Sequence, residues 1–251
     1  MLPQLSFEDQ VGQVIMAVWS GEREDLAGLV AMGRVGGLLV APGATGGPRA
    51  LATSLDRLQR LATHPLLCAA DLEVPSGPFL PGIVPLPGTF ALGAARRPDL
   101  ARRTGLIAAR QARALGIHLV LGPSLDVHRE PDHVPFAWRS FGENPLLVGR
   151  LGAAFVEGCR AGGALAVACH FPGRGGAVYD AERGLAVLPQ ARQTLERIDL
   201  APYVEAARAG LGAVMTGHLH VAALDTLPTR LATHSSAVVE GLLRSTLGFD
   251  G

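Results

Sequence analysis

The 251-residue chain contains no lysine, so arginine supplies all 22 of its basic side chains. This absence excludes mechanisms that need a lysine Schiff base or a phosphate-loop lysine. Acidic side chains also number 22, which leaves a formal net charge of zero at pH 7. A chain without a basic excess has no electrostatic reason to bind nucleic acid or an anionic membrane. We therefore expect neither as a partner.

Cysteine is scarce as well, and the three cysteines, Cys68, Cys159 and Cys169, lie in apolar stretches of sequence. An odd number without short paired spacings fits neither a disulfide framework nor a typical metal site. We expect all three to be reduced and buried, as in a cytosolic protein.

Long apolar runs are missing, and none approaches the roughly 20 residues that a membrane-spanning helix needs. The first ten residues have no cationic start followed by an apolar run, which is the pattern of a signal peptide. These absences favour a cytoplasmic protein that does not contact a membrane.

The apolar residues, 48% of the chain, form short runs that alternate with helical patterns. Runs that are apolar on both faces and bounded by Gly or Pro are typical of parallel strands covered by helices. Strands are predicted at residues 35–41, 65–71, 117–123, 164–170 and 213–218. Helices are predicted at residues 47–62, 98–115, 144–161 and 189–209. The repeated βα pattern predicts one α/β domain over residues 1–251, with a right-handed parallel sheet or barrel.

Polar side chains follow four of the five predicted strands. They are Asp71, Asp126, His170 and His218. An isolated Asp or His at such a place is more often a turn former or a structural residue than a catalyst. Because the carboxyl ends of parallel strands converge on one face, four together indicate a common pocket.

The loop after His170 carries two further carboxyl groups, Asp180 and Glu182, which could share a cleft with it. His218 and His220, with Asp225, could alternatively hold a metal ion, since alternate strand residues share one face. The favoured interpretation is that His218 lines the pocket and His220 fixes a loop. The glycine-rich stretch 33–47 lacks a Gly-x-Gly-x-x-Gly pattern, so no dinucleotide cofactor is expected.

Several short motifs follow one another in a characteristic order. They are Gln10-Val-Gly-Gln13, Gly36-Gly37, Leu92-Gly93-Ala94, Pro123-Ser-Leu-Asp126, Arg139-Ser-Phe-Gly142, His170-Phe-Pro-Gly173, Met215-Thr-Gly-His218 and Leu247-Gly-Phe-Asp-Gly251. As an ordered set they resemble glycoside hydrolase family 3, in its bacterial β-N-acetylhexosaminidase branch. The resemblance implies a (β/α)8 TIM-barrel-type domain and retaining hydrolysis of terminal β-linked N-acetylglucosamine from cell-wall-derived glycans. It implies no metal and no organic cofactor.

The same resemblance assigns substrate-binding roles to individual residues. Asp71 would accept hydrogen bonds from sugar hydroxyls, although the Gly-Gly-Arg that follows this position in the family is absent here. Arg139 matches a sugar-binding arginine with several fixed donors, while His170 and His218 match pocket histidines. Cys169 stands where the family has a lysine, and a thiol cannot replace an ammonium donor, so substrate contact there is expected to be weakened or changed.

The proton-transfer loop also departs from the family pattern, because Asp180-Ala-Glu182 stands in place of an Asp-x-His pair. A glutamic acid can protonate a leaving oxygen if burial or a neighbouring carboxylate raises its pKa, and Asp180 could be that neighbour. The simpler alternative is a solvated loop in which Glu182 pairs with Arg183 or with nothing.

In the family, Gly-Phe-Asp-Gly leads into a strand whose end carries the nucleophilic aspartate, whereas the present sequence ends at Gly251. A retaining mechanism needs two carboxyl groups roughly 5 Å apart. We therefore expect a barrel truncated after about five βα units: a fragment, or a shortened relative that binds sugar without hydrolysing it. The open sheet edge predicts self-association, unless the last segment covers that edge.

Overall fold

The computed structural model describes residues 5–21, 23–43, 46–72, 82–130, 138–178, 184–227 and 229–251. Six parallel strands form one curled sheet in the order β1-β2-β3-β4-β5-β7, and β6 and β8 form a separate parallel pair. The strands are β1 Met16–Trp19, β2 Gly37–Val40, β3 Leu67–Asp71, β4 Leu119–Ser124, β5 Leu165–Phe171, β6 Ala186–Leu188, β7 Ala213–Thr216 and β8 Leu219–Val221.

Helices connect the strands and cover the sheet. The α-helices are α1 Phe7–Gln13, α2 Glu24–Ala31, α3 Gly47–Leu61, α4 Thr89–Ala95, α5 Pro98–Ala114, α6 Pro145–Ala161, α7 Arg192–Thr194 and α8 Ala201–Arg208. Two π-helical segments, Leu195–Asp199 and Ala237–Thr246, and one 3₁₀ turn, Ala232–His234, complete the described elements. The result is an α/β half-barrel.

Local sequence explains where the two longest helices begin and end. Helix α5 has Pro98 in its first turn and stops before Gly116, which adopts a positive φ of 82°. Helix α6 is capped by Asn144, whose side-chain oxygen accepts the backbone N–H groups of Leu146 and Leu147. The two helices pack closely because Gly105 and Gly158 face backbone of the opposite helix, where a Cβ would overlap it.

The five predicted strands are confirmed, but the sequence prediction missed β1. No Gly or Pro separates α1 from β1, so the apolar residues after α1 look like its continuation. The predicted helix 189–209 is in fact divided into α7, the π-helical segment 195–199 and α8, which has Pro202 in its first turn. The short pair β6–β8 was also missed.

The core supports the predicted state of the cysteines, since all three are buried and none forms a disulfide in the described residues. Burial raises the pKa of Cys68 to about 11 and that of Cys159 to about 12, so both thiols stay protonated at neutral pH. None of the helices in the described ranges has both the length and the apolar character needed to cross a bilayer.

Candidate functional site

The polar strand ends meet at the carboxyl edge of β3, β4 and β5. Asp71 at the end of β3 pairs with Leu121 of β4, and Ser124 at the end of β4 pairs with Cys169 of β5. This register brings Asp71, the segment after Ser124 and His170 to one edge of the sheet. The convergence is the one that the alternation of strands and helices predicts.

Asp126 is the centre of the hydrogen-bond network at this edge. Its Oδ2 lies 2.8 Å from Nδ1 of His170 and accepts the hydroxyl of Ser124 at 3.1 Å. Its Oδ1 accepts the backbone N–H groups of Arg174 at 2.7 Å and of His170 at 3.3 Å. Asp126 is only 5% exposed, so these partners replace the water that an ionised carboxylate would otherwise bind.

The network sets the charge of both members of the Asp126–His170 pair. Burial opposes the charged ring of His170, but the adjacent Cys169 sulfur and the Asp126 carboxylate favour it, so its pKa lies well above the ordinary value. Burial also opposes ionisation of Asp126, yet His170 and the backbone N–H groups hold its pKa below the ordinary value. Each member of the pair therefore favours the charged form of the other.

Arg139 reaches the same edge from the segment after β4. Its Nη2 lies 3.6 Å from Oδ2 of Asp71, and both side chains are partly exposed. The next residue, Ser140, is buried and donates its hydroxyl to the backbone carbonyl of Asp126 at 2.7 Å. Phe141 is also buried, and Gly93 of α4 approaches its carbonyl too closely for any side chain. These contacts tie the Arg139 segment to the residue that holds His170.

Cys169 does not extend toward solvent, because it is 1% exposed and its Sγ lies 4.0 Å from the carbonyl oxygen of Pro123. A buried thiol offers no strong donor to a ligand.

His218 follows β7 and is exposed. Its Nδ1 lies 2.8 Å from Oγ1 of Thr233, and Thr216 approaches the same hydroxyl at 3.4 Å. A Cβ at Gly217 would lie 3.5 Å from Cβ of His170, so the strand end that carries His218 adjoins the His170 side of the site.

His220 and Asp225 are engaged in loop contacts. Nδ1 of His220 donates to the carbonyl of Arg230 at 3.1 Å, while Asp225 accepts from the hydroxyl of Ser235 and from the Arg230 guanidinium. In the described ranges no group of three or more His, Cys, Asp or Glu side chains is arranged to hold a metal ion. His220 thus contacts the loop that carries Arg230.

A second buried ion pair lies beneath the site, and the sequence interpretation missed it. Nη2 of Arg129 lies 2.7 and 2.9 Å from the two carboxylate oxygens of Asp199, which is fully buried. Burial raises the pKa of Asp199 to about 6, although the Arg129 guanidinium opposes the rise. Arg129 could have been noticed because it follows β4 closely. Asp199 lies within a helical pattern and gives no signal of its own.

The two predicted proton-transfer residues, Asp180 and Glu182, lie outside the described residues.

A family profile described as "Glycosyl hydrolase family 3 N terminal domain" matches residues 6–251. Among curated proteins, a beta-hexosaminidase of Alkalilimnicola ehrlichii is 34% identical over 225 residues, covering 87% of this chain and 64% of that protein. A beta-hexosaminidase of Thiobacillus denitrificans is 32% identical and is covered over 61% of its length. The chain thus spans somewhat less than two thirds of these relatives.

Two solved structures of related enzymes are also similar to this chain. A glycoside hydrolase family 3 beta-N-acetylglucosaminidase from Paenibacillus sp. superposes with a TM-score of 0.93 at 37% identity, over 98% of this chain and 48% of that one. NagZ from Neisseria gonorrhoeae, solved with N-trifluoroacetyl-D-glucosamine, superposes with a TM-score of 0.85 at 28% identity, over 94% of this chain and 72% of that one.

Proposed function

The chain belongs to glycoside hydrolase family 3, and on this basis we propose that it is the N-terminal, sugar-binding part of a retaining β-N-acetylhexosaminidase. The proposed substrate is a glycan from the cell wall that ends in β-linked N-acetylglucosamine. One observation carries the proposal: the Asp71–Arg139 and Asp126–His170 pairs stand side by side at the carboxyl edge of the sheet. Such a set of fixed donors and acceptors suits a ring with several hydroxyl groups.

Each of these side chains has a proposed role. The partly exposed guanidinium of Arg139 and carboxylate of Asp71 would share neighbouring sugar hydroxyls as donor and acceptor. Because Nδ1 of His170 is bound to Asp126, the second ring nitrogen is the one that can donate to a sugar oxygen. We place His218 at the rim of the same pocket and assign Cys169 no direct contact.

For the chemistry, we propose that Glu182 protonates the leaving oxygen and that Asp180 raises its pKa. A double displacement needs a second carboxylate as nucleophile. Asp71 already pairs with Arg139 and Asp126 with His170. Paired in this way, both carboxylates suit sugar binding, which also fits a second candidate function, a relative that binds sugar without hydrolysing it.

Release of 4-nitrophenol from its β-N-acetylglucosaminide, measured next to equilibrium binding of free N-acetylglucosamine, separates the two candidates. We expect a hydrolase to lose turnover in Glu182→Gln and to keep it in Glu196→Gln, a matched change at an exposed residue. Binding without turnover supports the second candidate. The absence of both binding and turnover would contradict both candidate functions.

Arg139→Ala tests the pocket itself. A lost charged hydrogen bond is worth about 1.5–3 kcal/mol, so N-acetylglucosamine binding should weaken roughly 10- to 150-fold in calorimetry. Arg208→Ala, which removes an exposed guanidinium paired with Glu205, should leave binding unchanged. Equal losses in both variants would show that Arg139 has no special role.

We further propose a cytoplasmic location and a role in recycling cell-wall fragments, in line with three buried cysteines that form no disulfide in the described residues. Cell fractionation of the tagged chain tests the location, which recovery outside the cytoplasm would contradict.

We also infer that two copies associate through open sheet edges. In the described ranges β7 pairs only with β5 and β1 only with β2, and neither strand carries a charge or a proline that would discourage pairing. Gly251 lies against the carbonyl of Gly212, the residue before β7. We expect light scattering to report a mass that rises with concentration. A constant monomer mass would refute self-association.

A further inference from the structure

The turn that follows β5 is built with three glycines, and each faces a specific obstacle. A Cβ at Gly173 would lie 2.7 Å from Cβ of Asp199, and Gly173 has a φ of 133°. A Cβ at Gly175 would overlap the carbonyl oxygen of Val127, and one at Gly176 would overlap the guanidinium of Arg129. The turn therefore lies directly on the Arg129–Asp199 ion pair and on the backbone next to it.

Hydrogen bonds fix the turn in this position. The N–H of Gly173 donates to the carbonyl of His170 at 2.8 Å, and the N–H of Arg129 donates to the carbonyl of Gly175 at 2.9 Å. The side chain of Gln190 donates to the carbonyl of Gly176 at 2.7 Å. The first end of the turn is thus tied to His170, and its last two residues are tied to Arg129 and Gln190.

The same turn also provides a backbone N–H donor to the Asp126–His170 pair. The N–H of Arg174, between Gly173 and Gly175, donates to Oδ1 of Asp126 at 2.7 Å. Oδ2 of that carboxylate holds Nδ1 of His170. A shift of the turn would withdraw this N–H and free the Asp126 carboxylate to move away from the ring.

We propose that Arg129 and Asp199 are positioning residues, which hold the turn 173–176 so that Asp126 keeps His170 in its binding orientation. The inference rests on the proposed sugar-binding function only in its last step, the effect on ligand affinity. Neither residue touches the sugar in this arrangement.

The pair suits this role because its two members come from separate parts of the fold. Arg129 follows β4, Asp199 ends the π-helical segment before α8, and 70 residues separate them. Asp199 is fully buried and the Arg129 side chain is 19% exposed, so the contact is shielded from solvent. Losing one partner would leave a buried charge uncompensated, whereas removing both charges together leaves the net charge near Asp126 unchanged.

The decisive experiment therefore uses the double variant Arg129→Gln/Asp199→Asn. Its matched control is Arg192→Gln/Glu196→Gln, which removes an exposed ion pair in the same part of the chain. The readout is the pKa of His170 from NMR titration of its ring, assigned with His170→Gln. Among the described residues, the titratable groups that interact with this ring are Asp126 and Cys169, and Asp199 in turn interacts with Asp126.

In the double variant we expect the pKa of His170 to fall toward its ordinary value of about 6.5, since the Asp126 contact loosens. Affinity for N-acetylglucosamine should fall about tenfold, as for the loss of one charged hydrogen bond. The control should match the wild type in both measurements. A merely structural pair would lower thermal stability without moving the His170 titration, and that outcome would overturn the proposal.

A second variant keeps the test valid if the double variant does not fold. Gly176→Ala places a Cβ against the Arg129 guanidinium without changing any charge, and its control is Gly184→Ala, whose Cβ would meet no atom of the described residues within 4 Å. We expect the His170 titration to shift downward in Gly176→Ala alone; equal titrations in both would contradict the proposal. If the wild type binds no sugar, the proposed function fails, while the His170 titration still decides the positioning role.

Discussion

Replacing Asp126 with alanine is expected to lower the free energy of unfolding by about 3–5 kcal/mol, the usual cost of removing one partner from a buried ion pair. The variant leaves the His170 ring and the N–H groups of His170 and Arg174 without their acceptor. Urea unfolding followed by circular dichroism measures the change. Asp56→Ala, at an exposed carboxylate within α3 that pairs with Arg60, should leave the midpoint unchanged. A similar midpoint for Asp126→Ala and the wild type would contradict the central place given to Asp126.

The same pair sets a pH window for stability. The folded-state pKa of His170 is raised, so its contribution is complete below about pH 6.5 and is lost as the pH rises through that raised value. The folded-state pKa of Asp126 is lowered, so its contribution is complete above about pH 4 and is lost as the pH falls further. Unfolding of the wild type should therefore become easier at alkaline pH, and Asp126→Ala should weaken that dependence, since only the Cys169 contribution to the raised pKa of His170 remains. If the free energy of unfolding fell equally with rising pH in both proteins, the effect of Asp126 on the pKa of His170 would be contradicted.

Gly175→Ala should be the second large effect, with a loss of about 3 kcal/mol or more. Its Cβ would overlap the carbonyl oxygen of Val127, a backbone atom that cannot swing aside as a side chain can. The turn would have to move, and the N–H of Arg174 would move with it.

The control for this change is Gly28→Ala, which meets no atom within 4 Å in helix α2. Alanine should raise stability there by up to about 1 kcal/mol, since it is the better helix former. Thermal unfolding of both variants checks the pair of predictions. A Gly175→Ala protein as stable as the wild type would show that the turn is free to move away from Val127.

The predicted strands were correct wherever a short apolar run was bounded by Gly or Pro, as in β3 and β4. Burial on both faces forces such runs to be apolar throughout, and a turn must separate them from the next helix. Strand β1 was not predicted because no Gly or Pro separates it from α1. The short pair β6–β8 depends on its own cross-strand partner, which local sequence does not reveal.

Some residues of the candidate site could be predicted from the sequence, and some of its contacts could not. His170, Asp71 and Arg139 were selected because they end strands or match family motifs, and the structure places all three at one edge. Asp126 was noticed as a strand-end residue, but its bond to His170 was not predicted. Roles for Asp180 and Glu182 stay predictions.

By itself, the sequence determined the family and the alternation of strands and helices, because both depend on local patterns and on the order of motifs. Tertiary structure alone decided that Asp126 meets His170, 44 residues away, and that Arg129 meets Asp199, 70 residues away. Such pairs form only when the sheet curls and separate loops are brought together. Their strength comes from burial, which no single stretch of sequence contains.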